Sequence, residues 1–396
     1  GYIQLMKKEG YQPHIYNELK SMALLDEVYS NKGEGMGRAI QIANETMQFP
    51  IKDAGRVRYV YRDQTPSSYD KLLSSISIEK MLVSLVSKGL PTDKTEYYFQ
   101  IKHSYREDKG LYKDLSSAIL NKEFMIPQEN PFIPKDAAVP SREIQDSVYP
   151  ELARKEKGVQ LFYGVDHEFL RPKGVVSLKI MFPKEKMDIN HRVYSKLYVA
   201  CVNESLNELS YPAKQAGLNY TIREGYEGVY VDISGYKESA MSLYSLITEH
   251  LVDFSVTENQ FSAIKDKIVR DYENFSLSDA HQQTRELSPD ILWNMKFTWK
   301  ESLPVAKKAT LASVKTYSEA LYEKTFLEAM VYGDLEKNDA SVIVDLFKQK
   351  TKTEGLTRDQ VFDLKYLSME NPEEIQYSAK LRVNNSCFFR EYMVGN

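Results

Sequence analysis

The sequence predicts an α+β fold of tandem related domains, each a mostly antiparallel β-sheet covered by α-helices. Three observations lead to it. Residues 206–236 alternate between helical and strand patterns, and several later segments carry apolar residues at helical spacing. A pattern of helix, short strand and glycine also occurs twice, at Thr65–Leu90 and at Thr310–Leu335. A repeated pattern of this kind is expected if the chain contains two copies of one domain type.

Residues 206–236 read as a helix end, a short helix, a turn and a strand hairpin. Pro212 is expected in the first turn of the short helix, where its missing N–H would be unpaired anyway. Gly217 is expected to end that helix in a left-handed conformation. The first strand begins at Tyr220 and Ile222, and one face of the returning strand is formed by Val229, Val231 and Ile233.

The same stretch resembles the insulinase/pitrilysin family of zinc metallopeptidases, which are inverted zincins. The resemblance lies in the spacing of Tyr211, Ala213, Ala216-Gly217-Leu218, Tyr220, Gly228 and Gly235-Tyr236. Further blocks match in the family's order, namely Gly1–Gly10, Pro127–Pro134, Phe169–Lys173 and Val331–Leu335. The resemblance implies a middle portion of such a peptidase without its zinc-binding domain.

The resemblance also implies a domain organisation. Residues 1–120 would be the C-terminal part of the family's second domain, and residues 158–350 the complete third, or middle, domain. Residues 121–157 hold five of the fifteen prolines and are expected to be an extended interdomain linker. Residues 351–396 would be the first strands of a truncated fourth domain, so both chain ends are expected to be truncations.

Composition narrows the class of protein. The chain has 396 residues, 42% hydrophobic and 27% charged, with a formal net charge of −4. This balance gives no basic field for nucleic acid, and no apolar run approaches the roughly 20 residues that span a bilayer. We therefore expect no nucleic-acid partner and no membrane partner. The compartment stays unknown, periplasmic or cytoplasmic, for a chain expected to be soluble.

Elements of the first segment follow from its patterns. A helix is expected from Pro13, and a second with Ile40, Ala43 and Met47 facing inward. A third begins at Thr65-Pro66, and short strands are expected at 81–86 and 97–105.

The later segments are predicted in the same way. The expected elements are a strand through Val176, Leu178 and Ile180; a helix over 189–209; a helix with Ala240, Leu243, Ile247 and Leu251 inward; a helix capped by Thr257 and Gln260; and tail strands at 374–381 and 387–394. Cys201, in a helix, and Cys387, on a strand, are both expected to be packed residues rather than disulfide partners.

The chemistry of the resembled family needs H-x-x-E-H, with two histidines on zinc and a glutamate that polarises water. None of the six histidines begins that motif: His14, His103, His167, His191, His250 and His281. His14, for example, is followed by Asn17 and Glu18, which misses both the glutamate and the second histidine. The resemblance implies that the motif lies before Gly1 and that the assisting Arg and Tyr lie beyond Asn396. We therefore expect no catalytic residue and no metal ligand in this chain, no cofactor of its own, and zinc only in the full-length parent.

Other candidates have plainer explanations. His250 and Asp253 could be two metal ligands, but the polar face of an amphipathic helix is favoured. For Asp166-His167-Glu168 a solvated turn is favoured over a metal site. The stretch Gly33–Arg38 departs from G-x-G-x-x-G, which favours a flexible surface loop. Tyr226, Tyr230 and Tyr236 could line a peptide-binding wall, although sheet packing is favoured. Substrate-binding residues stay unknown.

Two functions remain open. The first is the non-catalytic middle segment of an insulinase/pitrilysin-like zinc metalloendopeptidase, forming chamber wall and the connection between two halves that enclose peptides. Its partners would be the missing catalytic and C-terminal domains of the same polypeptide and the peptide substrates of the parent. The alternative is an accessory or binding subunit of the same fold without peptidase activity. An independent enzyme is disfavoured, because no other catalytic motif is present.

Overall fold

The computed structural model of the chain describes residues 1–29, 33–62, 66–107, 110, 112, 122–135, 149–367 and 374–392. The chain divides into two compact units, Gly1–Asn130 and Pro131–Asn396. The division falls inside the range 121–157 that the sequence predicts as a linker.

The first unit is mainly helical over its described residues. Its helices are α1 (Tyr2–Glu9), α2 (Pro13–Tyr29), α3 (Gly35–Thr46) and α4 (Pro66–Ser75), and its two strands are β1 (Lys94–Thr95) and β2 (Lys102–His103). The helix predicted from Pro13 is confirmed, with Pro13 in the first turn. The third predicted helix is also present, although Thr65 lies outside the described residues.

Four predictions for this unit are wrong. Residues 81–86 form no strand, and of residues 97–105 only Lys102–His103 do. Among the described residues, the run 81–86 has no strand to pair with, and the run 97–105 pairs only through Lys102–His103 with Lys94–Thr95. An unpaired strand leaves its backbone groups unsatisfied. The Gly33–Arg38 stretch is also not a loop throughout, because α3 begins at Gly35. The three residues predicted to face inward, Ile40, Ala43 and Met47, are all exposed, and Met47 is the C-cap residue that follows α3.

The second unit is built on one mostly antiparallel sheet. Its strands are β3 (Glu151–Glu156), β4 (Val159–Gly164), β5 (Lys173–Met181), β6 (Asn219–Glu224), β7 (Gly228–Tyr236), β8 (Lys324–Gly333) and β9 (Glu354–Gly355). Their spatial order is β3-β4-β8-β5-β7-β6, with β9 paired to β8. The β4–β8 and β8–β9 pairs are parallel, and the other pairs are antiparallel. Strand β3 lies within the range predicted as linker.

Eight helices accompany this sheet in the described part of the unit. They are α5 (Ile189–Ser205), α6 (Asn207–Gln215), α7 (Lys237–Val252), α8 (Glu258–Phe275), α9 (Ala280–Leu292), α10 (Trp299–Lys308), α11 (Leu311–Leu321) and α12 (Lys337–Thr351). The predicted capping box of α8 is confirmed: the Gln260 N–H donates to Thr257 Oγ1 at 3.2 Å, and the Thr257 N–H donates to Gln260 Oε1 at 2.9 Å. Each bond satisfies a backbone donor that the helix leaves free.

One face of the sheet carries the core. Registered residues of β7, β5 and β8 form three buried rows: Ile233-Val176-Val331, Val231-Leu178-Ala329 and Val229-Ile180-Leu327. The inner faces of α5, α7 and α12 pack in the same hydrophobic cluster. The alternation therefore places the helices on one side of the sheet, as the α+β prediction expected.

Two details of the second unit differ from prediction. The helix expected over 189–209 ends at Ser205, and α6 follows after Leu206 alone. Because α6 begins as early as Asn207, Pro212 lies inside the helix and not in its first turn. The chain accepts this because only the one N–H that proline lacks is lost from a nine-residue helix.

The tail also differs from prediction. Over the described residues 374–392 no strand forms, so the tail strands are wrong as far as this part of the chain goes, and Val394 lies outside it. Cys387 is exposed rather than packed. Of the repeated pattern of helix, strand and glycine, only the helices α4 and α11 are found in both copies. Strand β8 of the second copy has no counterpart at residues 81–86.

Candidate functional site

The hairpin of β6 and β7 carries the most specific part of the sequence. Gly217 has φ of +72°, as predicted, and the Leu218 N–H bonds to the Ala213 carbonyl at 3.0 Å. At the hairpin tip, a Cβ on Gly228 would lie 2.0 Å from the Ile180 carbonyl oxygen. Glycine is therefore required there by both the backbone angle and the close approach of β5.

The three hairpin tyrosines have different surroundings. Tyr236 is buried at the end of β7. Tyr230 lies on the helix-free face of the sheet, where burial raises its pKa to about 12. Tyr226 lies at the hairpin tip, edge-on to Trp293 with ring centroids 5.0 Å apart. Sheet packing thus explains Tyr236, while Tyr226 and Tyr230 are half-buried.

The helix-free face of the sheet is polar and internally paired. Lys179 Nζ lies 2.6 Å from Glu227 and 3.8 Å from Glu328. Ser177 Oγ donates to Asp232 Oδ1 at 2.7 Å. This pairing lets a sheet keep one face without helices, because its polar groups are already satisfied.

A cavity of about 390 Å³ lies at one end of the sheet. Its lining includes Asp166-His167-Glu168 and Phe169. Asp166 Oδ1 accepts the backbone N–H groups of Glu168 and Phe169, each at 3.1 Å. The Asp166 carboxylate is thus used to hold a turn, as the favoured interpretation of this triplet expected.

A second cavity, of about 570 Å³, lies between α5, the hairpin tip, α8, α9, α10 and the tail residues 377–382; we call it the Arg192 cavity. The guanidinium carbon of Arg192 lies 4.3 Å from the Tyr226 ring centroid. Arg192 Nη1 is buried and has no hydrogen-bond partner in the described part of the chain. The volume of the Arg192 cavity lies within the range of small-ligand sites.

Next to the Arg192 cavity lies a buried polar network. His191 Nδ1 is 3.1 Å from Tyr317 Oη, and Tyr198 Oη is 2.7 Å from Tyr322 Oη. Tyr198 Oη also donates to the Leu251 carbonyl at 2.5 Å. Burial lowers the pKa of His191 to about 4, so this histidine is neutral at pH 7. A neutral, fully packed imidazole serves structure here.

The remaining candidates are placed as follows. His250 Nδ1 is 2.8 Å from Ser205 Oγ, and Asp253 lies just past the end of α7. Within the described ranges no three His, Cys, Asp or Glu side chains group as metal ligands would. Burial raises the pKa of Cys201 to about 12, which leaves its thiol unreactive.

Reasoning from sequence missed the Arg192 cavity. Arg192 and Lys196 are four residues apart on α5, a weak sign of a basic helix face. Their aromatic partners, Tyr226 and Tyr272, come from distant elements. Only the tertiary fold brings these groups together.

None of the helices in the described residues is long and apolar enough to cross a membrane.

Comparison with known proteins gives the family. Residues 28–305 match the model of the middle or third domain of peptidase M16. Insulin-degrading enzyme of Bos taurus is 26% identical over 99% of this chain and 39% of its own length. The Homo sapiens enzyme has the same identity and coverage. The chain thus spans about two fifths of the length of these relatives.

A solved structure agrees with the fold. The crystal structure of pitrilysin matches with a TM-score of 0.73 at 20% identity, over 89% of this chain and 38% of that one. At this identity the likeness shows the fold. Together with the family model, it shows that this chain belongs to the insulinase/pitrilysin family of metallopeptidases, peptidase M16, and contains that family's middle domain.

Proposed function

We propose that the chain is the non-catalytic middle segment of a zinc metalloendopeptidase and forms part of the wall and the inter-half connection of a peptide chamber. The observation that carries this proposal is the match of residues 28–305 to the middle or third domain of peptidase M16. Relatives of more than twice this length bear the name insulin-degrading enzyme, which supports peptide substrates for the parent.

The chain's own residues do not fit a zinc site. The sequence holds no H-x-x-E-H. The nearest pair of ligand-type residues, His250 and Asp253, is already engaged or lies beyond the helix end. Zinc would be held by another domain of the same polypeptide, where it would polarise the attacking water.

The proposed domains keep the boundaries that the sequence suggests. Residues 1–120 would complete the second domain, 121–157 would connect the two halves, 158–350 would be the third domain and 351–396 would open the fourth. The absence of strands at 81–86 and 374–381 supports this division, since both runs would gain partners from other domains of the polypeptide.

The alternative function is an accessory or binding subunit of the same fold. The internally paired helix-free face of the sheet, with Lys179 between Glu227 and Glu328, suits a stand-alone surface as well as a chamber wall. The presence of H-x-x-E-H elsewhere in the polypeptide separates the two functions.

The proposal is tested by assaying two purified proteins with a fluorogenic peptide. One is this chain, and the other is the longest product of its reading frame. We expect cleavage by the longer product, loss of that cleavage when the glutamate of its H-x-x-E-H is changed to glutamine, and none by this chain. A longer product that lacks the motif and cleaves nothing would favour the accessory subunit.

A further inference from the structure

We propose that the Arg192 cavity is a binding site for the carboxylate of a peptide. The inference extends the proposed function, since it rests on peptides being the ligands of this segment. It begins from Arg192, whose Nη1 is buried without a hydrogen-bond partner among the residues that the structure describes. A buried guanidinium N–H is costly to leave unbonded, and a carboxylate is the acceptor that matches its geometry.

The charge of the lining favours an anion. Among the described residues, the cavity is lined by six cationic side chains and three acidic ones, the cations being Arg192, Lys196, Lys296, Lys300, Lys380 and Arg382. One acid, Glu286, is already paired with Lys296 at 3.0 Å. The electrostatic potential inside the cavity is therefore positive, and the low-dielectric walls of the cavity strengthen it.

Aromatic rings hold three of these cations in place. Lys196 Nζ lies 4.7 Å from the Tyr272 ring centroid and Lys296 Nζ lies 5.1 Å from that of Trp293, while Arg192 lies over Tyr226. A ring attracts a cation that lies over its face and so holds the cation in position. The contact does not use the N–H groups that point away from the ring. The N–H groups of Arg192 and Lys196 that these ring contacts leave unused can bond a ligand, whereas Lys296 is also paired with Glu286. The rings offer the ligand apolar contact.

A polar counterpart stands in the same cavity. Asp290 Oδ1 is buried and without a hydrogen-bond partner in the described ranges. Burial raises the pKa of this carboxyl, and the charge of Lys296 opposes that rise. A peptide offers both a carboxylate for Arg192 and backbone groups for Asp290. The volume of about 570 Å³ suits a short peptide segment.

Three small probes test the proposal with the full 396-residue chain. They are N-acetyl-Phe-Glu-Ala amide, N-acetyl-Phe-Gln-Ala amide and N-acetyl-Phe-Gln-Ala with a free terminal carboxylate. Binding is measured by calorimetric titration and by tryptophan fluorescence, because Trp299 lines the cavity. We expect at least one carboxylate probe to bind about tenfold or more tightly than the neutral probe. Which one does so tells a side-chain carboxylate from a terminal one.

Variants locate the binding. Arg192→Gln is expected to abolish the preference for a carboxylate. Arg223→Gln is the matched control, since Arg223 also lies over a hairpin tyrosine, 4.0 Å from the Tyr230 centroid, but does not line the cavity. The Arg223→Gln variant should bind all three probes with the affinities of the unchanged chain. If Arg192→Gln fails to fold, Lys196→Gln replaces it, with a smaller expected loss.

The outcomes separate this site from the proposed function. Equal binding of all three probes, or a carboxylate preference that survives loss of Arg192, overturns the site while leaving peptidase activity of the parent untouched. An inactive parent whose middle segment still shows Arg192-dependent carboxylate binding would overturn the proposed function and keep the site.

Discussion

At the residue scale, burial sets the protonation of the ionisable groups around α5. His191 packs edge-on against Phe182 and Tyr317, with ring centroids 5.5 and 5.7 Å away. Desolvation outweighs the attraction of Asp188 and lowers the pKa of His191 to about 4. Such a histidine ties the stability of the second unit to pH.

We expect the second unit to lose stability between pH 6.5 and pH 4 through His191. The pKa of His191 is lower in the folded than in the unfolded chain, so the unfolded chain binds more protons in this pH range. The unfolded state is therefore stabilised relative to the folded state as pH falls. The loss at pH 4 amounts to about 3 kcal/mol of unfolding free energy. Urea unfolding followed by tryptophan fluorescence measures it, because both tryptophans, Trp293 and Trp299, lie in this unit.

The variant His191→Gln should remove that component, so that its stability falls less steeply than that of the unchanged chain over the same pH range. His281→Gln, at an exposed position, serves as control and should keep the full dependence. Identical pH profiles for His191→Gln and the unchanged chain would contradict the assignment.

At the element scale, local signals in the sequence predicted most of the second unit. The alternation of Val229, Val231 and Ile233 and the left-handed Gly217 are both confirmed. The sequence missed the start of α6, because a proline is tolerated inside a helix when its neighbours keep their bonds. It also missed the Arg192 cavity, because ring and cation partners far apart in the chain meet only in the fold.

We expect Thr257→Ala to lower the unfolding free energy of the second unit by about 1 kcal/mol, because the Thr257 side chain accepts the Gln260 N–H at the start of α8. Ser262→Ala, an exposed substitution in the same helix, should cause no comparable loss. Thermal or urea unfolding decides the matter, and equal stability of the two variants would show that the cap does not hold this helix.

At the scale of the whole molecule, the two units differ in how far sequence predicts them. In the second unit, predicted strands such as those through Val176 and Val231 find partners, so local pattern and tertiary structure agree. In the first unit, the apolar run at 81–86 forms no strand, with Leu82 79% and Val86 94% exposed. A strand pattern specifies structure only where another strand meets it.

We expect hydrogen exchange to report this difference. In this chain the amides of residues 81–86 should exchange without protection, because they lie outside any strand. In the longer product of the reading frame they should become protected as a sheet forms. Residues 229–233 in β7 should be protected in both proteins. Protection of 81–86 already in the shorter chain, or in neither protein, would be at odds with a strand completed by other domains.

The measurement that bears most directly on the role of this chain is its zinc content after purification, set beside that of the longer product. A non-catalytic middle segment predicts no stoichiometric zinc in the 396-residue chain and about one zinc per molecule in the longer product, lost when its H-x-x-E-H is mutated. Stoichiometric, tightly held zinc in this chain would contradict the account.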